Sequence, residues 1–171
     1  MFSKPVVFGS GAFAKVIAAL LGNIVESIDC TAKQTIIPKN IDGRTAYIAI
    51  EDNGLREHVF CRLVEARAKL PPFVAPLAFV SPYAKVGEAT VILPGAVVMP
   101  GAIIGRCCIV GMQASIDHEA LVDDQTFIGT GVIIPRRIKI GSRCIVRAAS
   151  FVTRDVHPGS EFGASPSALS A

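Results

Sequence analysis

Charge is scarce in this chain: 18% of its 171 residues are Asp, Glu, Lys or Arg, and the net charge is +3. With no basic stripe and no interleaving of basic with aromatic side chains, the footprint that nucleic acid needs is missing. Long apolar runs are missing as well. The most apolar stretch, 91-VILPGAVVMPGAIIG-105, is broken by Pro and Gly before the roughly 18 to 20 residues of a membrane helix, so no span is predicted. No charged and apolar leader opens the chain. The cysteines (Cys30, Cys61, Cys107, Cys108 and Cys144) are five, an odd number, with no C-x-x-C spacing, which predicts a reducing, cytoplasmic compartment. What the chain does have is apolar content, 51%, ample for the core of one large or two small domains.

The pattern changes at 71-PP-72, which predicts a small mixed unit over residues 1–70, a repeat over 71–157 and a cap or tail over 158–171. From Val74 every sixth residue is Val or Ile: Val74, Val80, Val86, Ile92, Val98, Ile104, Val110, Ile116, Val122, Ile128, Ile134, Ile140, Val146 and Val152. Four residues after each sits, usually, something small, as at Ala96, Ala102, Cys108, Ala114 and Ala120. A six-residue period fits neither a helix nor plain strand alternation; it is the signature of a parallel β-solenoid. Each hexad is read as a short strand whose β-branched residue points inward, plus a turn eased by the small residue. Burial of each aliphatic side chain contributes about 1.5–3 kcal/mol, so an Ile to Asp change in the ladder is expected to unfold the stack. The repeat is expected to run without interruption to His157.

This hexapeptide pattern resembles the left-handed β-helix acyltransferases. Within them the chain is similar to the sialic acid O-acetyltransferase and bacillosamine N-acetyltransferase group, in which a small Rossmann-like α/β nucleotide-sugar-binding domain precedes the β-helix. The resemblance implies an acetyl-CoA-dependent O- or N-acetyltransferase acting on a sugar or nucleotide-linked amino sugar in bacterial surface glycan biosynthesis. It further implies a homotrimer with active sites between subunits. Three stretches carry it.

In 6-VVFGSGAFAKVIAALL-21, a strand, a glycine turn and a helix, Gly9 and Gly11 permit a tight turn and the helix N-terminus favours an anionic phosphate. A plain strand-to-helix turn explains the same glycines. Of the family's loop only Lys15 is kept, and Asp29, about twenty residues on, stands where a ribose-binding acid is found in dinucleotide folds. In 47-YIAIEDNGLREHV-59, Asp52, Asn53 and Arg56 match a segment that in the family helps hold the nucleotide, with Glu51 in place of a glycine. Capping of the next helix accounts for Asp52 and Asn53 equally well.

The third stretch is 115-SIDHEA-120. With Ile116 inward, His118 falls at the turn between faces and projects outward, in water unless another subunit covers it. An exposed histidine is usually inert; the register matches the family's catalytic histidine followed by an acid. The resemblance makes His118 the general base that takes a proton from the sugar amine or hydroxyl, a task suited to an imidazole. It makes Glu119 the acid holding one ring nitrogen; Asp117 is read as solvated or bound to a neighbouring turn. Three positions depart from the family: Gly111 for Asn, Phe127 for a cofactor-contacting His, and Arg136 for a Gly whose amide supports the thioester oxygen. Arg136 and Arg137 are candidates for the CoA phosphates, or simply solvate a turn. Gly163, in 163-GASPSA-168, resembles the start of a segment along the CoA arm. No metal is expected: a γ-type carbonic anhydrase-like site needs a histidine cluster, and only His118 and His157 lie in or beside the repeat. A third alternative is a catalytically inactive sugar-nucleotide-binding scaffold.

Overall fold

A computed structural model describes residues 4–22, 25–30 and 35–163. The chain opens with strand β1 (Val6–Phe8), helix α1 (Gly11–Leu20), β2 (Glu26–Ile28), β3 (Ala46–Ile48) and helix α2 (Asn53–Glu65). The three strands form a parallel sheet in the order β2-β1-β3. Strand β1 is central and fully buried, which its unbroken Val-Val-Phe run requires, whereas β2 is a largely exposed edge. Helix α2 begins on Asp52, whose carboxylate accepts from the Leu55 amide at 2.7 Å, and carries Arg62 in its last turn against the helix dipole.

Strands β4 (Phe73–Val74), β5 (Phe79–Val80), β6 (Lys85–Val86), β7 (Val91–Ile92), β8 (Val97–Val98) and β9 (Ile103–Ile104) begin the solenoid. It continues through β10 (Ile109–Val110), β11 (Ser115–Ile116), β12 (Leu121–Val122), β13 (Phe127–Ile128), β14 (Ile133–Ile134), β15 (Lys139–Ile140), β16 (Ile145–Val146) and β17 (Glu161–Phe162). They stack into three parallel sheets: β4-β7-β10-β13-β16-β17 on face one, β5-β8-β11-β14 on face two and β6-β9-β12-β15 on face three. Partners such as Ile109 and Phe127, or Ile116 and Ile134, are one eighteen-residue coil apart, so three hexads make each turn of a prism. The Val and Ile ladder fills the interior, with Ile92, Val98, Ile116, Ile128, Ile134 and Ile140 fully buried.

The corner chemistry is finer than the sequence suggested. At most corners the residue that turns the chain stands three after a ladder position and takes a positive φ, as at Cys107, Gln113, Glu119, Gln125, Arg137 and Arg143. The small residue that follows is buried inside the corner, Ala114 and Ala120 among them. A hydroxyl at that place ties two coils together: Thr126 Oγ1 donates to Gly141 O at 2.8 Å and accepts from the Cys144 amide at 3.3 Å.

The uninterrupted repeat expected up to His157 is corrected near its end. Phe151 still bridges Ile133, eighteen residues back, but Val156 bridges Ile140 and Glu161 pairs with Ile145, sixteen back. Two residues are thus dropped after Val152, and Val156, expected at a small-residue position, takes the place of a ladder residue. The last coil is shortened by a cut corner, and β17 closes onto β16.

The first unit has a core of its own, with Val6, Phe8, Ile48, Val59 and Leu63 at its centre, and a second apolar cluster that it shares with the solenoid. Val7, Ala14, Ile17 and Ala49 pack directly on Phe73, Val91 and Ile109, the outward residues of face one, and Tyr47 meets Phe73 edge to face at 5.6 Å. Arg56 fastens the seam. It is fully buried, and its guanidinium donates to the carbonyls of Ile50 (3.1 Å), Glu51 (2.8 Å), Cys107 (2.9 Å) and Gln125 (3.1 Å) and to Asn53 Oδ1 (2.5 Å).

Candidate active site

His118 stands on the corner between faces two and three, with its side chain about half exposed. The corner is rigid because each flank is hydrogen-bonded to a neighbouring coil: Asp117 N donates to Ile134 O at 3.0 Å, Glu119 N to Pro100 O at 3.2 Å, and Arg137 N to His118 O at 3.1 Å. The acid that holds the imidazole is Asp117. Its Oδ1 lies 2.5 Å from His118 Nδ1 and accepts from the His118 amide at 2.7 Å. The backbone amide of His118, then its ring, hold the Asp117 carboxyl below the ordinary carboxylate range, with a smaller contribution from the Arg136 amide.

Glu119, expected to hold one ring nitrogen, has a different partner here. At φ +59° it is the turning residue of its corner, stacked one coil below Arg137, and its carboxylate accepts from Arg137 Nε at 2.6 Å. That ion pair, chiefly through its hydrogen bond, lowers the Glu119 pKa. The pair uses Arg137 Nε and leaves both side chains exposed. The Arg136 side chain is exposed and pairs with no carboxylate among the described residues. Gly163 is the last described residue; a Cβ there would lie 2.1 Å from Ser150 Oγ, so a close approach of coils fixes it, and residues 164–168 of its segment lie outside the described part.

A cleft of about 460 Å³ opens at the other side of the molecule, between the β1–α1 turn and the start of α2. Ser10, Gly11, Ala12, Phe13, Cys30, Ala49, Ile50, Glu51, Asp52 and Leu55 line it, so it unites Gly11 with Asp52. Gly9 lies behind it for a packing reason, since a Cβ would sit 2.2 Å from Ala49 O. Gly11 has φ +73° with open space beside it. Lys15 and Asp29 are exposed and do not line the cleft, although Asp29 adjoins Cys30, which does. Asn53 and Arg56, expected to bind substrate, are drawn into the seam instead: Arg56 spends its donors on protein acceptors, and Asn53 Nδ2 reaches Cys144 O at 3.4 Å. The sequence did not single out Phe13, Cys30 and Leu55; burial pushes the Cys30 thiol up. Glu51 and Asp52 are the charged groups of the lining, and no lysine or arginine is among them.

A second, apolar recess of about 210 Å³ adjoins the cleft, lined by Phe13, Val16, Leu93, Ile109, Met112 and Phe127 together with Ala12, Glu51, Gly111 and Thr130. Phe127 thus belongs to the α1 side of face one, away from the His118 corner. Among the described residues no group of three His, Cys, Asp or Glu side chains could hold a metal ion, and no helix is long and apolar enough to cross a membrane.

Residues 83–118 match the family model of the bacterial transferase hexapeptide (six repeats). No curated protein sequence matches the chain. Its fold is that of the acetyltransferase domain of PglB from Neisseria gonorrhoeae FA1090, solved with acetyl coenzyme A (TM-score 0.76, 22% identity, covering 94% of this chain and 96% of that one). It is similar in the same way to PerB from Caulobacter crescentus, solved with CoA and GDP-perosamine (TM-score 0.73, 21% identity, 94% of each chain). WeeI from Acinetobacter baumannii AYE shares the fold as well (TM-score 0.70, 17% identity, 94% of this chain and 96% of that one).

Proposed function

We propose that the chain is an acetyl-CoA-dependent acyltransferase that modifies an amine or hydroxyl of a nucleotide-linked sugar, within a left-handed β-helix preceded by a trimmed Rossmann-like unit. The observation that carries this reading is the Asp117–His118 pair on an outward corner of the hexapeptide coil, at 2.5 Å. A carboxylate on Nδ1 leaves Nε2 as the acceptor, so His118 takes the proton of the attacking sugar atom while Asp117 steadies the imidazolium that forms. Further support is the fold shared with PglB's acetyltransferase domain and with PerB, which hold acetyl-CoA, or CoA with GDP-perosamine.

The sugar nucleotide is assigned to the cleft of Gly11 and Asp52. Backbone amides at the start of α1 suit a phosphate, and the Glu51 and Asp52 carboxylates suit hydroxyl or N–H donors of the ribose or sugar. Exposed Arg136 is the candidate for the CoA phosphates. The part over 71–157 then carries the chemistry and the part over 1–70 the acceptor.

Within one chain the cleft lies against face one, and His118 is a full face away. Face two exposes Phe79 (52%) in its first coil and Ile133 (45%) and Phe151 (58%) in its last, with Val97 and Ser115 half-buried between them, apolar side chains that a monomer would leave in water. A homotrimer that buries this face brings the cleft of one copy to His118 of the next, and completes the site. The five free thiols fit a reducing cytoplasm.

The test is thiol release from acetyl-CoA with a panel of GDP- and UDP-linked amino sugars. Release that depends on both the sugar and His118 is expected; release by the His118→Ala variant at the parent rate overturns the assignment.

A further inference from the structure

The apolar recess is where this chain departs from the family it resembles. Gly111 stands where the family usually has Asn, Phe127 where some members have His, and both line the same hollow with Phe13, Val16, Leu93, Ile109 and Met112. The bareness of Gly111 is built into the stack: a Cβ would lie 2.6 Å from the Gly129 carbonyl carbon and 2.6 Å from the Thr130 amide nitrogen. A polar side chain therefore has no room there. Two apolar side chains on its rim, Val16 (42% exposed) and Met112 (46% exposed), are left uncovered.

Its position is as informative as its lining. The recess shares Ala12, Phe13 and Glu51 with the cleft assigned to the sugar nucleotide, and it contains Phe127, at the position where the resemblance expects a cofactor contact. The one group common to the acyl donor and the product is the acyl chain, so it must lie where the two ligands meet. An acetyl group presents a single methyl. A hollow of about 210 Å³ has room for about seven groups at the roughly 30 Å³ of a water molecule.

We propose that this recess takes the acyl chain of an acyl-CoA and that the preferred chain has about four to six carbons rather than two. The inference rests on the acyltransferase reading and changes its donor. In the transfer the sugar nitrogen or oxygen attacks the thioester carbonyl and gives its proton to His118 of the neighbouring copy in the trimer. The carbon–sulfur bond breaks as the new carbon–nitrogen or carbon–oxygen bond forms, and CoA leaves as a thiolate that takes up a proton.

The experiment is a calorimetric titration of the full chain with CoA and with acetyl-, butyryl-, hexanoyl- and decanoyl-CoA. Affinity is expected to rise up to about fourfold per buried methylene as far as hexanoyl, and to stop rising at decanoyl. Val16→Phe, which fills the recess from α1, is expected to flatten the series to within about twofold while CoA itself still binds; Met112→Phe fills it from the opposite rim with the same result. Equal affinity for acetyl- and hexanoyl-CoA overturns the proposal, as does a gain that continues to decanoyl or survives both fillings. If CoA itself fails to bind, the acyltransferase reading falls and this inference with it.

Discussion

Asp117 and Glu119 flank the same imidazole, and the backbone decides between them. Asp117 still has an extended strand behind it and turns back onto the ring, whereas Glu119 adopts φ +59° and aims at the next coil, where Arg137 waits. His118→Ala is expected to lower kcat by about 10²–10⁴-fold with CoA binding retained, the usual share of a general base. Asp117→Asn, which keeps the shape and removes the charge that steadies the imidazolium, is expected to cost at least about tenfold in kcat. Glu119→Gln is expected to leave kcat within about threefold, because an exposed ion pair contributes little. Steady-state rates of the three variants decide the matter, and a Glu119→Gln defect larger than that of Asp117→Asn reverses the two roles. The register of His118 was legible from the ladder, because a period of six fixes which positions face outward. The division of labour between its neighbours was not, because it depends on which of them takes the left-handed corner.

At the scale of elements, α2 is held to the solenoid by Arg56 and by the Glu57–Arg143 ion pair at 2.5 Å. A guanidinium with no buried carboxylate beside it costs desolvation, which pushes its pKa down, and only the acceptors gathered from α2, the preceding loop and two coils compensate. Removing it leaves buried carbonyls without donors, so Arg56→Ala is expected to cost about 3–5 kcal/mol in urea unfolding, about what Ile116→Ala costs in the ladder. The pH dependence of this seam has a definite sign. Glu57 has a folded pKa depressed chiefly by its hydrogen bond to Arg143, so its contribution is present above the ordinary carboxylate value near 4.3 and is lost as pH falls through the folded value. The urea midpoint is therefore expected to drop between pH 6 and pH 3, and Glu57→Gln to reduce that drop. Of these ties the sequence showed only the residue types: Arg56 read as a ligand because its acceptors, Cys107 and Gln125, lie 51 and 69 residues away. The coil itself was legible because each hexad repeats one local instruction, and the cut corner after Val152 was not, because it occurs once.

On the scale of the whole molecule, the cleft lies against face one and His118 on the corner between faces two and three, and the site proposed above joins the cleft of one copy to the imidazole of the next. Closed threefold symmetry achieves this if every interface pairs the cleft of one copy with the corner of the next. The arrangement makes a quantitative demand on mixed assemblies. Take Gly11→Val, whose side chain is strained at φ +73° and crowds the cleft, and His118→Ala, each nearly inactive alone. In trimers reassembled from equal amounts of the two, an interface works only when the copy giving the cleft carries the His118 change and the copy giving the imidazole carries the Gly11 change. With random mixing that holds for about one interface in four, so the mixture should recover about a quarter of the parental activity per interface. If cleft and imidazole acted within one chain, every copy would stay defective and mixing would restore nothing. Placing aspartates at Phe79 and Phe151 on face two should abolish this recovery and give a monomer in sedimentation, because a charge buried at the shared face has no partner.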